Sequence, residues 1–364
     1  MNKVELLSPA GDLERAKIAI DFNANAVYCG GKAYSLRARA DNFDLTELKE
    51  IINYAHKHKA KVYVVTNILC HNAFVPGFVK YLKALAKLNP DAFICADPYI
   101  ISTIHKLYPK KQIHVSTQQS ICNSKAALFW KKQGASRIIT AREIDYKNIK
   151  LMCKRLKGII DVEYFIHGAH CVGYSGHCTM SNNFALRDAN VGGCAQSCRW
   201  KWVLMDKNHK VISNKFIMSA KDICQVRNLP KLLESGLASF KIEGRMKSVH
   251  YIATVVNTYA HEMKDYYAKK LTPSRIKMYE KEVDKAANRE TSYAWFKGAP
   301  TNKQMLYGDE NKKLNQNFAF IIDKKLKNGS YEIISKNYFT TKNKFEVFGK
   351  NHDLIYIKIS KNIL

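Results

Sequence analysis

Residues 171–198 read CVGYSGHCTMSNNFALRDANVGGCAQSC and hold four of the chain's ten cysteines, Cys171, Cys178, Cys194 and Cys198. Cys224 follows in SAKDIC. The spacing is C-x6-C-x15-C-x3-C, with twenty-five residues more to Cys224. Structural zinc sites pair C-x2–4-C knuckles, and only the last two cysteines of the stretch stand that close. No CxxC is present, so neither a c-type haem motif nor a thioredoxin-like pair is available. The three-cysteine pattern of radical enzymes is absent as well, because Lys201 and Trp202 stand where its third cysteine belongs. Iron–sulfur clusters tolerate irregular spacing, since thiolates converge on them from a wrapped loop. Gly168, Gly173, Gly176, Gly192 and Gly193 would let backbone N–H groups approach the sulfurs. Spacing therefore favours a [4Fe-4S] cluster. His170 and His177 keep zinc open, and buried free thiols remain the plain alternative. Cys29, Cys70, Cys95, Cys122 and Cys153 sit in or near apolar runs and read as small core residues.

The start, MNKVELLSPAGDLERA, has no apolar core ahead of its charges, so no secretory signal is expected. No apolar run reaches the length of a membrane span. A cytoplasmic location follows as the expectation, and there disulfides are rare. Lys+Arg number 59 against 31 Asp+Glu, a net charge of +28, which points to a polyanionic partner such as nucleic acid. General lysine enrichment is the bland alternative.

Eight β-rich runs must position these residues: 4–8, 26–29, 61–67, 92–97, 113–118, 137–141, 162–168 and 239–244. Helical patterns such as LTELKEIINYAHKHK and FVKYLKALAKL separate them. Strands alternating with helices imply parallel β-α-β units, and eight of them imply an α/β fold, a (β/α)8 TIM-like barrel. An open doubly wound sheet is the alternative. Residues 169–238, 70 positions, separate the seventh run from the eighth and contain the cysteine stretch. Barrel active sites form from loops after the strand C-termini, so architecture and cysteine density point to one place. The expected division is a barrel over 1–250 with a Cys-rich insertion at about 168–230, a helical extension and connector over 251–316, and a small all-β module over 317–364.

The stretch EYFIHGAHCVGYSGHCTMS (163–181) resembles the signature of the collagenase-like peptidase family. ELLSPAGDLE, YSLRARADNF, VSTQ, RDANVGGCAQSCRW, SAKDIC and KIEGRMKS follow the family's order and carry the resemblance from residue 5 to about 267. The resemblance implies iron–sulfur proteins that hydroxylate aromatic rings without molecular oxygen. One branch forms 5-hydroxyuridine at the tRNA wobble position, with prephenate as the implied oxygen donor and co-substrate. A longer branch forms 5-hydroxycytidine in 23S rRNA, and a third pair hydroxylates a quinone precursor. KIEGRMKS and the +28 charge favour the RNA branches. The chain is shorter than typical tRNA-hydroxylating members, chiefly in the connector. By resemblance Cys171, Cys178 and Cys194 match cluster ligands, and both Cys198 and Cys224 match positions of a fourth. Cys224 is preferred, because a thiolate from outside the tight loop closes a tetrahedron more easily.

Hydroxylating a pyrimidine at C5 exceeds what side chains supply, so a redox cofactor is expected. A peptidase would need an activated nucleophile or an open zinc, and neither G-x-S-x-G nor H-E-x-x-H is present. A collagenase-like peptidase and a non-catalytic RNA-binding factor with a structural cluster remain the alternatives. His167, at the end of the seventh strand, is a candidate for donor binding or proton relay, or a core histidine. Lys241, Glu243 and Arg245 alternate, which puts them on one face, where they would clamp a carboxylate-rich donor or neutralise one another. Arg37, Arg39 and Gln118 are further substrate-binding candidates. Tyr34 and Phe43 are candidates to stack a flipped base, or core aromatics.

Overall fold

Short runs that are apolar on both faces fold as buried parallel strands, because each face finds a partner layer. Eight such runs pair edge to edge in the structure, a computed structural model that describes residues 3–36, 41–306, 318–340, 342–351 and 354–357. They are β1 (Glu5–Ala10), β2 (Ala26–Gly30), β3 (Lys61–Thr66), β4 (Ala92–Cys95), β5 (Gln112–Val115), β6 (Arg137–Ile139), β7 (Asp161–Gly168) and an eighth strand, Ser239–Ile242. Each is parallel to the next. The eighth pairs with both β7 and β1, which closes the ring and excludes the open sheet. The (β/α)8 barrel expected from the sequence is the fold.

Alternation along the strands builds two cores. Leu7, Tyr28, Tyr63, Val65, Ile94, Ile139 and Phe165 fill the barrel. Leu6, Val27, Val62, Phe93, Ile113, Ile138 and Val162 face the helices. The helices are α1 (Leu13–Asp21), α2 (Leu45–Lys57), α3 (Val75–Lys87), α4 (Pro98–Leu107), α5 (Ser124–Lys132) and α6 (Tyr146–Leu156). Asp12, Asp44, Asp97, Asn123 and Asp145 cap five of them, each accepting from first-turn N–H groups. Such caps are worth about 1 kcal/mol apiece and fix where each strand-to-helix loop ends.

The insertion holds α7 (Met180–Ala185) and an antiparallel hairpin, Trp202–Met205 with Val211–Phe216. It returns through Asp222–Cys224, which pairs antiparallel to β7, and leads into α8 (Leu229–Leu233). Helix α9 (Val249–Tyr267) packs against α1 and β1. It is the barrel's own eighth helix rather than an extension beyond residue 250, because a closed (β/α)8 ring needs that last return. Helix α10 (Pro273–Lys285) packs on it. The C-terminal β module is two hairpins, Phe320–Lys325 with Tyr331–Ser335 and Phe345–Phe348 with Leu354–Ile357, not one sheet. They dock on the α1 and α9 side through Phe22 on Phe348 (5.8 Å between rings) and His250 on Phe318 (5.2 Å). No helix among the described residues is long and apolar enough to cross a membrane.

Candidate active site and cysteine cluster

The loops at the strand C-termini and the insertion enclose one cavity of about 970 Å3, open water at its mouth included. Cys171, Cys178, Cys194 and Cys198 all line it, together with Gln118, Arg142, Lys241, Glu243 and Arg245. The chain reaches this arrangement by pinning the insertion across several barrel loops. Ser175 donates its N–H to Glu143 (2.7 Å) and its hydroxyl to the same carboxylate, in the loop after β6. His177 bonds the carbonyl of Gln118 after β5 through Nε2. The N–H of Leu69, after β3, donates to the carbonyl of Asn190 (3.0 Å). At Gly173 a Cβ would stand 2.9 Å from the Cβ of Cys178, so a side chain there would push the second cysteine away.

The fourth thiol lining the cavity is Cys198, and Cys224, the preferred fourth ligand on sequence, does not line it. Gln196 takes a left-handed conformation (φ 58) and the turn Ser197–Arg199 reverses the chain, so a cysteine four positions after Cys194 still faces inward. Cys224 packs outside the barrel, 4.0 Å from the hydroxyl of Tyr259, and burial pushes its thiol up to about 11. Burial also raises Cys171 and Cys198, opposed by Arg142 beside the first and Arg199 beside the second. Among the described residues no three His, Cys, Asp or Glu side chains converge on one ion-sized point.

Lys241, Glu243 and Arg245 all line the cavity, but only Lys241 stands on the eighth strand, which ends at Ile242; Glu243 and Arg245 lie in the loop that follows, so strand alternation does not place them. The Lys241 ammonium is 3.1 Å from Glu163 and 4.2 Å from the centre of the Tyr28 ring. Burial pulls it below the ordinary lysine range, and Glu163 opposes that. Arg245 donates to the hydroxyl of Ser35 at 2.9 Å and 3.0 Å. A Cβ at Gly30 would collide with that guanidinium, so the glycine makes its berth. Gln118 accepts from Asn67 (2.9 Å) and Ser116 (3.0 Å).

Arg142 is a residue the sequence reading missed. It follows the run RIITA by one position, at the strand end where barrel chemistry resides. Its guanidinium lies 4.4 Å from the Phe165 ring and 3.5 Å from Glu243. Its Nε, and the hydroxyl of Ser197, are buried without hydrogen-bond partners among the described residues. Buried polar atoms are ordinarily satisfied, so two orphans on one cavity wall mark a place for a polar guest.

Other expected site residues lie elsewhere. His167 is absent from the cavity wall. The β7 pairing slips between Phe165 and His167, and the bulge turns the imidazole toward α9, where Nδ1 meets the Tyr259 hydroxyl at 3.2 Å. Burial, with Lys247 nearby, pulls it down to about 3, so it is a neutral core group. Phe43 is core, 1% exposed. Tyr34 stacks on Tyr81 (5.3 Å), away from the cavity. His170 and His177 do not line it either. Cys29, Cys95 and Cys153 are buried as expected, whereas Cys122 is half-buried and 3.1 Å from the hydroxyl of Tyr174. Arg37 and Arg39 lie outside the described residues.

Over 355 residues the chain is 41% identical to the tRNA hydroxylation protein P1 of Bacillus subtilis, covering 95% of this chain and 84% of that one. It is 32% identical to the tRNA hydroxylation protein P of Escherichia coli, covering 74% and 70%. It is 36% identical to the 23S rRNA 5-hydroxycytidine C2501 synthase of Escherichia coli, over 71% of this chain but 39% of that protein. The sequence profile of peptidase family U32 matches residues 11–306, and with so much of the chain covered, the chain belongs to peptidase family U32.

Proposed function

We propose that this protein is an RNA hydroxylase that forms a 5-hydroxypyrimidine without molecular oxygen, using a [4Fe-4S] cluster held by Cys171, Cys178, Cys194 and Cys198. The observation that carries the reading is that four thiols and three cations, Arg142, Lys241 and Arg245, line one cavity at the catalytic end of a barrel. Four thiols and no histidine among the described residues that line the cavity suit a cluster. When bound, the cluster would supply the redox capacity that side chains lack.

The chain's own groups then have separable tasks. Among the described residues Arg142, Lys241 and Arg245 line the cavity against one carboxylate, Glu243, which leaves an excess of positive charge. A dicarboxylate such as prephenate suits that excess, and Arg142 and Arg245 offer bidentate grips. Glu163 behind Lys241 and Ser35 behind Arg245 hold those cations in place before the donor arrives. Tyr28 and Phe165 present ring faces to the same space, already partly covered by Lys241 and Arg142. The net charge of +28 suits an RNA substrate.

Between the two RNA classes, tRNA is favoured. Alignment with the tRNA-hydroxylation relatives runs through most of both chains, whereas the rRNA synthase has long portions without a counterpart here. The peptidase reading fares worse. Among the described residues no histidine lines the cavity, so its serines and cysteines have no imidazole base there.

The test is iron and colour after anaerobic purification. Wild-type protein should be brown and carry about four irons per chain. Cys198→Ala should lose most of its iron, and Cys224→Ala should keep it. A colourless wild type with one zinc, or iron lost from Cys224→Ala and kept in Cys198→Ala, would contradict the ligand set.

A further inference from the structure

Between two cavity-lining positions, Ser181 and Ala189, the insertion makes a short excursion to the rim. Helix α7 ends there on Leu186, whose φ of 49 and ψ of 41 are left-handed. Glycine or asparagine is the usual choice at such a position, because a Cβ is strained there. Leu186 is nonetheless 92% exposed, more than any other large apolar side chain among the described residues. Strained backbone and an apolar side chain in water both cost stability, and neither a cap nor a core contact accounts for a leucine.

The excursion is braced. The N–H of Arg187 donates to the carbonyl of Ser181 (3.1 Å), and that of Gly193 to the carbonyl of Asp188 (2.7 Å). The N–H of Ala195 donates to the hydroxyl of Ser181 (3.0 Å), a residue only 2% exposed. Asp188 lies 3.3 Å from His71 in the loop after β3. Beside it the half-exposed ring of Phe184 packs at 4.7 Å on Trp202, which stacks on Trp200 at 5.8 Å.

We propose that Leu186 is a wedge that enters a base stack of the RNA and holds open the step from which the reacting pyrimidine leaves. This rests on the RNA-hydroxylase reading above. An enzyme that works on a ring atom inside a stack must extrude the base, and proteins open base steps by inserting apolar side chains such as leucine. A wedge has to protrude, be apolar, be held rigidly and stand beside the pocket that takes the base. Leu186 protrudes and is apolar, its loop is tied by the hydrogen bonds above, and it lies between Ser181 and Ala189, which line the cavity. The Phe184, Trp202 and Trp200 rings give displaced neighbours a stacking surface, and Arg187 and Arg199 give their phosphates a counter-charge.

The test uses an RNA hairpin with a uridine in its loop and 2-aminopurine as the 3′ neighbour, whose fluorescence rises on unstacking. Wild type and Leu186→Met should raise the fluorescence several-fold. Leu186→Gly removes the wedge and relieves the left-handed strain, so its thermal midpoint should be unchanged or higher. It should still bind the hairpin by anisotropy within about threefold of wild type, with the fluorescence rise reduced at least about fivefold. An undiminished rise with Leu186→Gly overturns the wedge, as does wild-type binding with no rise, and both leave the RNA reading intact. A wild type that binds no hairpin RNA overturns the RNA reading and the wedge with it.

Discussion

Arg142 carries the sharpest residue-scale expectation, because it lines the cavity and its buried Nε has no hydrogen-bond partner among the described residues. Replacing it with lysine keeps the charge and removes the planar fork. Calorimetry with prephenate should find Kd raised about tenfold in Arg142→Lys, about 1.4 kcal/mol, with iron content unchanged. An unchanged Kd would remove Arg142 from donor binding. The sequence made half of this site legible. Position after the last strand run drew attention to Lys241, Glu243 and Arg245, and spacing with position marked the stretch that holds Cys171, Cys178, Cys194 and Cys198. Two features had no local signal. The left-handed turn at Gln196 that brings in Cys198 uses an ordinary side chain, and the bulge that removes His167 depends on how β7 meets the eighth strand.

At the scale of elements, α9 does more than close the ring. Glu262, 0% exposed on this helix, has two carboxylate oxygens with no hydrogen-bond partner among the described residues. Burial pushes its carboxyl up to about 9, helped by Glu280 and Asp265. Cys224, Tyr259 and Tyr279 are further titratable neighbours. The folded chain therefore holds a proton that the unfolded chain releases near 4.5. Between those values the folded state binds more protons, so stability falls as pH rises through the window. Glu262→Gln keeps the shape without the titration. Its thermal midpoint should match wild type near pH 4.5 and exceed it increasingly toward pH 8, by about 1–2 °C per kcal/mol recovered in a chain of this size. A difference that does not grow with pH would contradict a proton held at Glu262. The periodicity of this helix was plain in the sequence. Its place in the barrel was not, because a boundary drawn at the last strand ignores the return helix that closure requires.

At the scale of the molecule, a closed barrel, a thiol-lined cavity at its catalytic end and a strongly basic chain combine in a member of peptidase family U32. The eight strands were legible because parallel barrels need runs that are apolar on both faces. The docking of the C-terminal hairpins on α1 and α9 was not, since it rests on a few long-range ring contacts such as Phe22 with Phe348. The central claim is hydroxylation of RNA, and nucleoside mass spectrometry of separated tRNA and rRNA tests it most directly. Cells lacking the gene should lose 5-hydroxyuridine from tRNA and regain it with the wild-type gene but not with Cys198→Ala. Unchanged 5-hydroxypyrimidine levels in both RNA classes after deletion would contradict the account.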